Sequence, residues 1–391
     1  MHGGTRLRVP LPTRVPPAVG SGEGEGTPGP GGSPPGRGGV IPTPARPTGT
    51  RANGLAGPRG GEDGEAVDVR HITADGVRRC PPVELEDLLD GPGLLWIDVK
   101  YWDADTAARL AALLHLHDRA VHECAVRNPI AKVHTYPDQA FVVLHAPEAG
   151  QRGHVHFVEL DQFVGPNWVL TVHGPMNTAV ALDSAYVETS TIARRLDRGT
   201  LHPTRACELS NALVNAVADR MRDYLVRLTQ DVWRLERQVT GGHVGDTEQF
   251  LEELFGVRHG LLAVHTMAVS SAEVYGRMVR RAVFGADGAA GLVDLEDQFR
   301  RIAATADGQR EYLQGVIEFY RTRTGTKMAI AAERLAVIAA VTLPVTAITS
   351  IMGMNVIVSD HTQALPLALL LAGMAVMSVI LLIWTRRKGW W

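Results

Sequence analysis

Between Leu335 and Gly353 the polar side chains are all hydroxyls: Thr342, Thr346, Thr349 and Ser350. Thr342, Thr346, Thr349 or Ser350, and Gly353 recur at steps of three or four, so one side of a helix would carry neutral oxygens and small groups. Such a face serves either close helix packing or a wetted ion pathway. Imidazole is the second candidate chemistry. The chain holds 15 histidines, among them His115, His117, His122, His154, His156 and His361, and imidazole suits zinc better than magnesium. His154 and His156 alternate along an expected strand and equally form one exposed face. Covalent catalysis has less to build on, because no Gly-x-x-x-x-Gly-Lys loop, Gly-x-Ser-x-Gly elbow or His-Glu-x-x-His pair occurs. His122-Glu123-Cys124 only superficially resembles a nucleophile cluster, since adjacent helix residues do not face each other. The expectation is a protein that is not an enzyme. A membrane-anchored enzyme and a signal-transmitting scaffold without ion flux are the readings it competes with.

The hydroxyl face belongs to the first of two uncharged stretches. Residues 335–352 and 364–384 carry no charge, and each reaches the roughly 17 to 25 residues a helix needs to cross a bilayer. Buried core helices of a soluble protein are the alternative. Lys327 and Arg334 precede the first stretch and Arg386, Arg387 and Lys388 follow the second, while the loop 355–363 has no Lys or Arg. Positive charge marks the cytoplasmic side, so both termini are expected there, with Trp384, Trp390 and Trp391 as anchors at the inner interface.

Upstream the composition divides sharply. Residues 1–66 hold 18 of the 41 glycines and 12 of the 23 prolines, too little apolar surface to offset chain entropy, and read as a disordered tail. Prolines rather than an apolar run follow Met1-His2-Gly3-Gly4, which argues against a secretory signal. Residues 67–203 read as an α/β domain, with strands at Leu94–Val99, Ala140–Leu144, Val155–Leu160 and Asn167–Val172 and a helical stretch from Asp105 to Cys124. From 204 to 334 strand signals stop. Leu209, Leu213, Val217, Met221, Tyr224, Leu228, Val232, Leu235 and Val239 are spaced for a helix over about 206–240. A second helix is expected over about 247–283, and a third begins near Leu292 and meets no proline until Pro344. Helices that long need partners along their length, so a stalk packed against copies of itself is expected. Residues 335–385 form the two spans and 386–391 a basic tail.

Whole-chain numbers agree with no strongly charged partner. The 39 Lys and Arg stand against 42 Asp and Glu, a formal net charge of -3, which supplies no basic balance for nucleic acid. Cys80, Cys124 and Cys207 are isolated, so neither a disulfide framework nor a thiolate zinc site is expected, and a reducing compartment fits.

At the end of the first stretch stands Gly353-Met354-Asn355, and here the chain resembles the CorA family of magnesium and divalent-cation transporters. The tripeptide is informative through its place, at the outer end of the first of two C-terminal spans. The resemblance spans about 67–391 and includes Trp96-Ile97-Asp98, Leu116-His117, Lys132-Val133, Thr171-Val172-His173, Leu343-Pro344-Val345-Thr346 and Arg386-Arg387-Lys388-Gly389-Trp390. It implies an α+β membrane protein: a cytoplasmic α/β domain, a long helical stalk and two transmembrane helices, assembled as a funnel-shaped homopentamer in the plasma membrane. It implies a pore whose mouth is Gly353, Met354 and Asn355, with Thr346 and Ser350 as polar positions and Leu343 and Leu335 as apolar constrictions. It further implies regulatory Mg2+ held between subunits by Asp138 and Asp294, an acidic stalk residue at Glu318, and a basic collar of Arg386, Arg387 and Lys388. A simple helix end remains the alternative for Asn355, and each carboxylate equally suits a solvated surface. Met352, Glu333 and a loop whose one charge is Asp360 depart from the family pattern. Those departures, with the histidines, keep a zinc transporter of the same superfamily, proton-coupled, as the alternative to magnesium or cobalt.

Overall fold

The computed structural model describes residues 66–242, 245–353 and 364–387. The described chain opens with β1 (Val67–Thr73), β2 (Gly76–Cys80), α1 (Leu85–Leu89), β3 (Leu94–Val99), α2 (Ala104–Leu114) and α3 (Asp118–Cys124). There follow β4 (Lys132–Thr135), β5 (Ala140–Ala149), β6 (Val155–Val164), β7 (Trp168–His173), α4 (Leu182–Ala185) and α5 (Val187–Asp197). Four long helices complete it: α6 (Ala206–Gly241), α7 (Thr247–Arg280), α8 (Gly285–Gly353) and α9 (Ala364–Arg387).

The strands form one sheet in the order β2-β1-β3-β7-β6-β5-β4. β3 and β7 run parallel, with Leu95 opposite Trp168 and Val99 opposite Val172, and the other neighbours are antiparallel. Period-two alternation sorts the side chains onto two covered faces. Leu95, Ile97, Val99, Phe141, Val143, Phe163, Leu170 and Val172 pack against Leu110, Leu114, Ala120 and Cys124 of α2 and α3. On the other face Leu94, Trp96 and Val169 meet α5 and the start of α6 through Ile192, Leu196, Leu209 and Leu213. Val142, Leu144 and Leu160 meet α6, α7 and α8 through Val217, Met221, Val264, Leu295 and Phe299. Burial on both faces is why β3, β5 and β7 are nearly continuous apolar runs. Each large side chain so buried contributes about 1.5–3 kcal/mol.

Three differences from the sequence reading have local causes. The helical stretch Asp105 to Cys124 is two helices. His115 adopts the left-handed conformation (φ 52°) and ends α2, then the His117 ring accepts from Arg119 N at 3.2 Å and caps α3. Leu116 stays buried between them, so the apolar spacing runs through the break unmarked. Strands β1, β2 and β4 escape the pattern because they carry charge. Asp68 on β1 pairs with Arg70 and, at 2.7 Å, with Arg79 on β2, while Lys132 and His134 stand on β4. β2 and β4 are the sheet's edges, where charged side chains resist further strand pairing. Finally, α8 begins at Gly285 rather than near Leu292.

The hairpin between β5 and β6 docks on α7. Gly153 has φ 74°, and a Cβ there would lie 2.3 Å from the Gly256 Cα, so both conformation and space demand glycine. Lower down, α8 packs on α6 and α7 until Arg323, whose guanidinium donates to the carbonyls of Val239 and Thr240 (2.9 Å to the latter). That arginine serves the last turn of α6, where carbonyls lack helical partners. α8 as a whole is 69 residues, about 100 Å at 1.5 Å per residue.

Candidate functional site

The two C-terminal helices are long and apolar enough to cross a membrane. α8 continues through Pro344, whose ring removes one backbone hydrogen bond, a loss that spanning helices tolerate. The side of α8 turned toward α9 includes Val337, 8% exposed, and the partly covered Val341, Pro344 and Ile348. Leu382 of α9 sits beside Val337 and Val341 there. At about 3.6 residues per turn, Leu335, Leu343, Thr346 and Ser350 fall away from that side. In the single chain Leu335 is 67% and Leu343 66% exposed, and Thr346 and Ser350 are exposed as well. Thr342 Oγ1 donates to Ile338 O at 2.9 Å and Thr346 Oγ1 to Thr342 O at 2.8 Å. Each threonine proton is thereby used on the helix itself, and the hydroxyl oxygen keeps lone pairs that can accept from a water of hydration.

Gly353 is the last described residue of α8. Met354 and Asn355, the loop with Asp360 and His361, and Lys388 lie outside the described residues. Arg386 and Arg387 occupy the last turn of α9, where cations complement the helix dipole.

The candidate acids are separate within one chain. Asp138 is exposed in the turn between β4 and β5. Asp294 is exposed on α8, its Oδ2 accepting from Gln298 Nε2 at 2.9 Å. Glu318 is exposed on α8 ahead of the first span, its backbone carbonyl accepting from Thr322. Among the described residues no three His, Cys, Asp or Glu side chains are grouped to hold a metal ion. The histidines divide by role. His115 and His117 are helix ends, and His117 also stacks on Tyr136 at 4.5 Å. His154 lies 4.7 Å from His156 and 6.0 Å from His259, ring to ring, on an accessible surface.

The sheet also holds buried acids that the sequence reading did not single out. Asp161 on β6 is fully buried with neither carboxylate oxygen hydrogen-bonded. Burial first, and then the neighbouring Glu159 charge, hold its carboxyl well above the usual range. Burial also raises Glu159, against two hydrogen bonds from Asn128. The signal was present as acids inside an apolar run, Glu159-Leu160-Asp161-Gln162. A carboxyl with a raised folded pKa binds more protons folded than unfolded. Its contribution to stability therefore falls as pH climbs from about 4 through the folded value. Asp161→Asn removes that loss, so the variant's stability relative to wild type should grow between about pH 4 and pH 8. Thermal melts across that range test it, and a difference independent of pH contradicts it.

A family model described as CorA-like Mg2+ transporter protein matches residues 91–387. No curated protein sequence matches the chain. The fold is similar to the complete structure of the CorA magnesium transporter from Methanocaldococcus jannaschii, at 16% identity and TM-score 0.71, covering 84% of this chain and 100% of that one. It is similar to the full-length CmaX protein, at 17% identity and TM-score 0.66, over 85% and 100% of the two chains. It also resembles the ZntB cytoplasmic domain from Vibrio parahaemolyticus RIMD 2210633, at 10% identity and TM-score 0.51, over 66% and 98%. At these identities the structural likeness is one of fold: a soluble α/β domain, a long helix and two candidate C-terminal spans. The sequence-family match covers well over half of the chain, and with it the chain belongs to the CorA-like Mg2+ transporter family, whose members are divalent-cation transporters and not enzymes.

Proposed function

We propose that copies of the chain assemble as a funnel-shaped homopentamer in the plasma membrane, termini on the cytoplasmic side, and pass Mg2+, with Co2+ as a second cargo. The observation that carries this reading is the side of α8 that α9 leaves uncovered. Leu335, Leu343, Thr346 and Ser350 share it, and hydroxyls facing lipid would be a poor exchange for hydroxyls facing water or each other. Copies arranged about an axis cover that side. The same packing supplies partners for α8 beyond Arg323, where Met328 is 69% exposed and an isolated helix would be marginal.

In this reading Mg2+ enters with its water shell. Magnesium dehydrates reluctantly, so a ring of Asn355 amide oxygens and Gly353 carbonyls holds the ion through its waters without trapping it. Thr346 and Ser350 offer further neutral oxygens. Leu343 and Leu335 close the path by dewetting when the helices draw together. Asp138 of one copy and Asp294 of the next hold regulatory Mg2+ that keeps the stalk symmetric and shut, and its loss lets the subunits splay. Glu318 adds negative charge along the approach, while Arg386, Arg387 and Lys388 form a collar at the inner interface. Residues 335–353 contain no imidazole, carboxylate or thiolate, which favours a hydrated hard cation over zinc.

The second reading is proton-coupled zinc transport, supported by the His154, His156 and His259 surface. Ion uptake by the purified chain in liposomes separates the two. Mg2+ entry indifferent to a pH gradient, and insensitive to trapped Mg2+ after joint Asp138→Ala and Asp294→Ala substitution, is the expected result. Zn2+ entry that requires a proton gradient, with Mg2+ excluded, would overturn the magnesium reading, and flux of no ion would overturn both.

A further inference from the structure

The parallel strands β3 and β7 end side by side, and the chain leaves them as Lys100-Tyr101-Trp102 and Gly174-Pro175-Met176-Asn177. Such carboxyl ends are where α/β sheets commonly place ligands. Here they open into a cavity of about 270 Å³ walled by Lys100, Tyr101, Arg127, Glu159, His173 and Tyr186. That size suits a small molecule and not a nucleotide.

The polar groups of the wall divide by what they have left to offer. Glu159 is occupied: Oε2 accepts from Asn128 N at 2.9 Å and Oε1 from the Asn128 side-chain amide. Asp103 is occupied as the cap of α2, accepting from Asp105 N, Thr106 N and Thr106 Oγ1. The cations are not. Lys100 Nζ lies 5.8 Å from the Tyr186 ring centroid and has no ion-pair partner among the described residues. Arg127 makes one long contact, 3.5 Å to Pro175 O. His173 is 6% exposed, with Nε2 held 3.1 Å from Asp98 Oδ1 and 3.3 Å from Thr189 Oγ1, and its Nδ1 is buried with no partner. Its ring packs edge-on against Tyr186 at 4.6 Å. The crevice therefore has acids whose oxygens already accept hydrogen bonds, two cations that feel the Glu159 and Asp98 charges without pairing with them at bonding distance, and one orphaned ring nitrogen in its wall. No metal-holding group of three His, Cys, Asp or Glu side chains occurs there or elsewhere among the described residues.

We propose that this crevice binds a small oxyanion, a phosphate or a carboxylate, between Lys100 and Arg127. The planar Arg127 fork matches two oxygens of either group and Lys100 supplies a point charge. Tyr186 leads into α5, where Glu188 bonds Arg220 of α6 at 2.9 Å, so the crevice adjoins the helix pair that begins the stalk. The site lies in the soluble domain, independent of which cation the chain carries.

Calorimetric titration of the full chain in detergent, without Mg2+, with inorganic phosphate and separately with succinate, tests the assignment. The expected result is saturable binding of at least one anion at one site per chain. Joint Lys100→Gln and Arg127→Gln substitution should weaken it about tenfold or more, as loss of charge-assisted bonds does. Arg194→Gln, an exposed charge on α5 outside the crevice, should leave it unchanged. Phosphate without succinate identifies a phosphate site, and succinate without phosphate a carboxylate site. Binding of neither anion up to millimolar concentration overturns the proposal, as does equal weakening by Arg194→Gln or wild-type binding by the folded double variant.

Discussion

Asn355→Ala abolishes selective Mg2+ uptake while leaving assembly intact. In the proposed pore the substitution removes the side-chain oxygen from every copy at the mouth of the path, and a hydrated cation there would lose the acceptors that hold its shell. Each such bond to a charged ligand is worth about 1.5–3 kcal/mol, so uptake should fall about tenfold or more even if one acceptor per ion is lost. In the proposed assembly the copies meet along α8, which the change does not touch. Uptake into liposomes, with particle size measured beside it, checks the result. Wild-type uptake by the variant contradicts it and would reduce Asn355 to a helix end.

The second large effect is on stability. Arg220 lies on α6 with its side chain 10% exposed, and its guanidinium joins three separate parts of the soluble domain. Nη2 donates to Glu148 Oε2 at 2.7 Å, Nη1 to Glu188 Oε1 at 2.9 Å and to Ser184 O at 2.8 Å, and Nε to Pro147 O at 3.1 Å. Arg220→Met keeps much of the volume and removes every one of these bonds. Glu188, 3% exposed, is left as a buried charge without its partner, a situation that costs about 3–5 kcal/mol. Adding Glu188→Gln should recover part of the loss. Denaturant unfolding measures both. A loss within about 1 kcal/mol, the worth of an exposed ion pair, would contradict the account.

How much of this was legible in the sequence varied with the physics of each element. The long helices were plain, because Leu209 through Val239 repeat a helical step that burial in α6 requires. The apolar strands were plain for a similar reason, being covered on both faces. Edge strands β2 and β4 were not, because Arg78, Arg79, Lys132 and His134 serve the rim and erase the apolar signal. The end of α2 depends on one φ angle at His115, which side-chain spacing does not encode. The hydroxyl face of the first span was readable from its steps, yet only the position of α9 distinguishes the covered side at Val337 from the open side at Thr346. The crevice at Lys100 and Arg127 joins residues far apart in sequence through the parallel pairing of β3 with β7. No local pattern announces that pairing, although Asp98 and His173, polar residues at the ends of apolar strands, were its trace.

The central claim is that the side of α8 left open by α9 lines the ion path. Single cysteines at Thr346, Ser350 and Val337, treated with a positively charged thiol reagent during Mg2+ uptake into liposomes, test it most directly. Wild type is the control for Cys80 and Cys124, which are buried, and for the partly covered Cys207. The account predicts that the reagent blocks uptake by Thr346→Cys and Ser350→Cys and leaves Val337→Cys and wild type conducting. Block at Val337→Cys with Thr346→Cys and Ser350→Cys unaffected would contradict it, placing the path on the side that α9 covers.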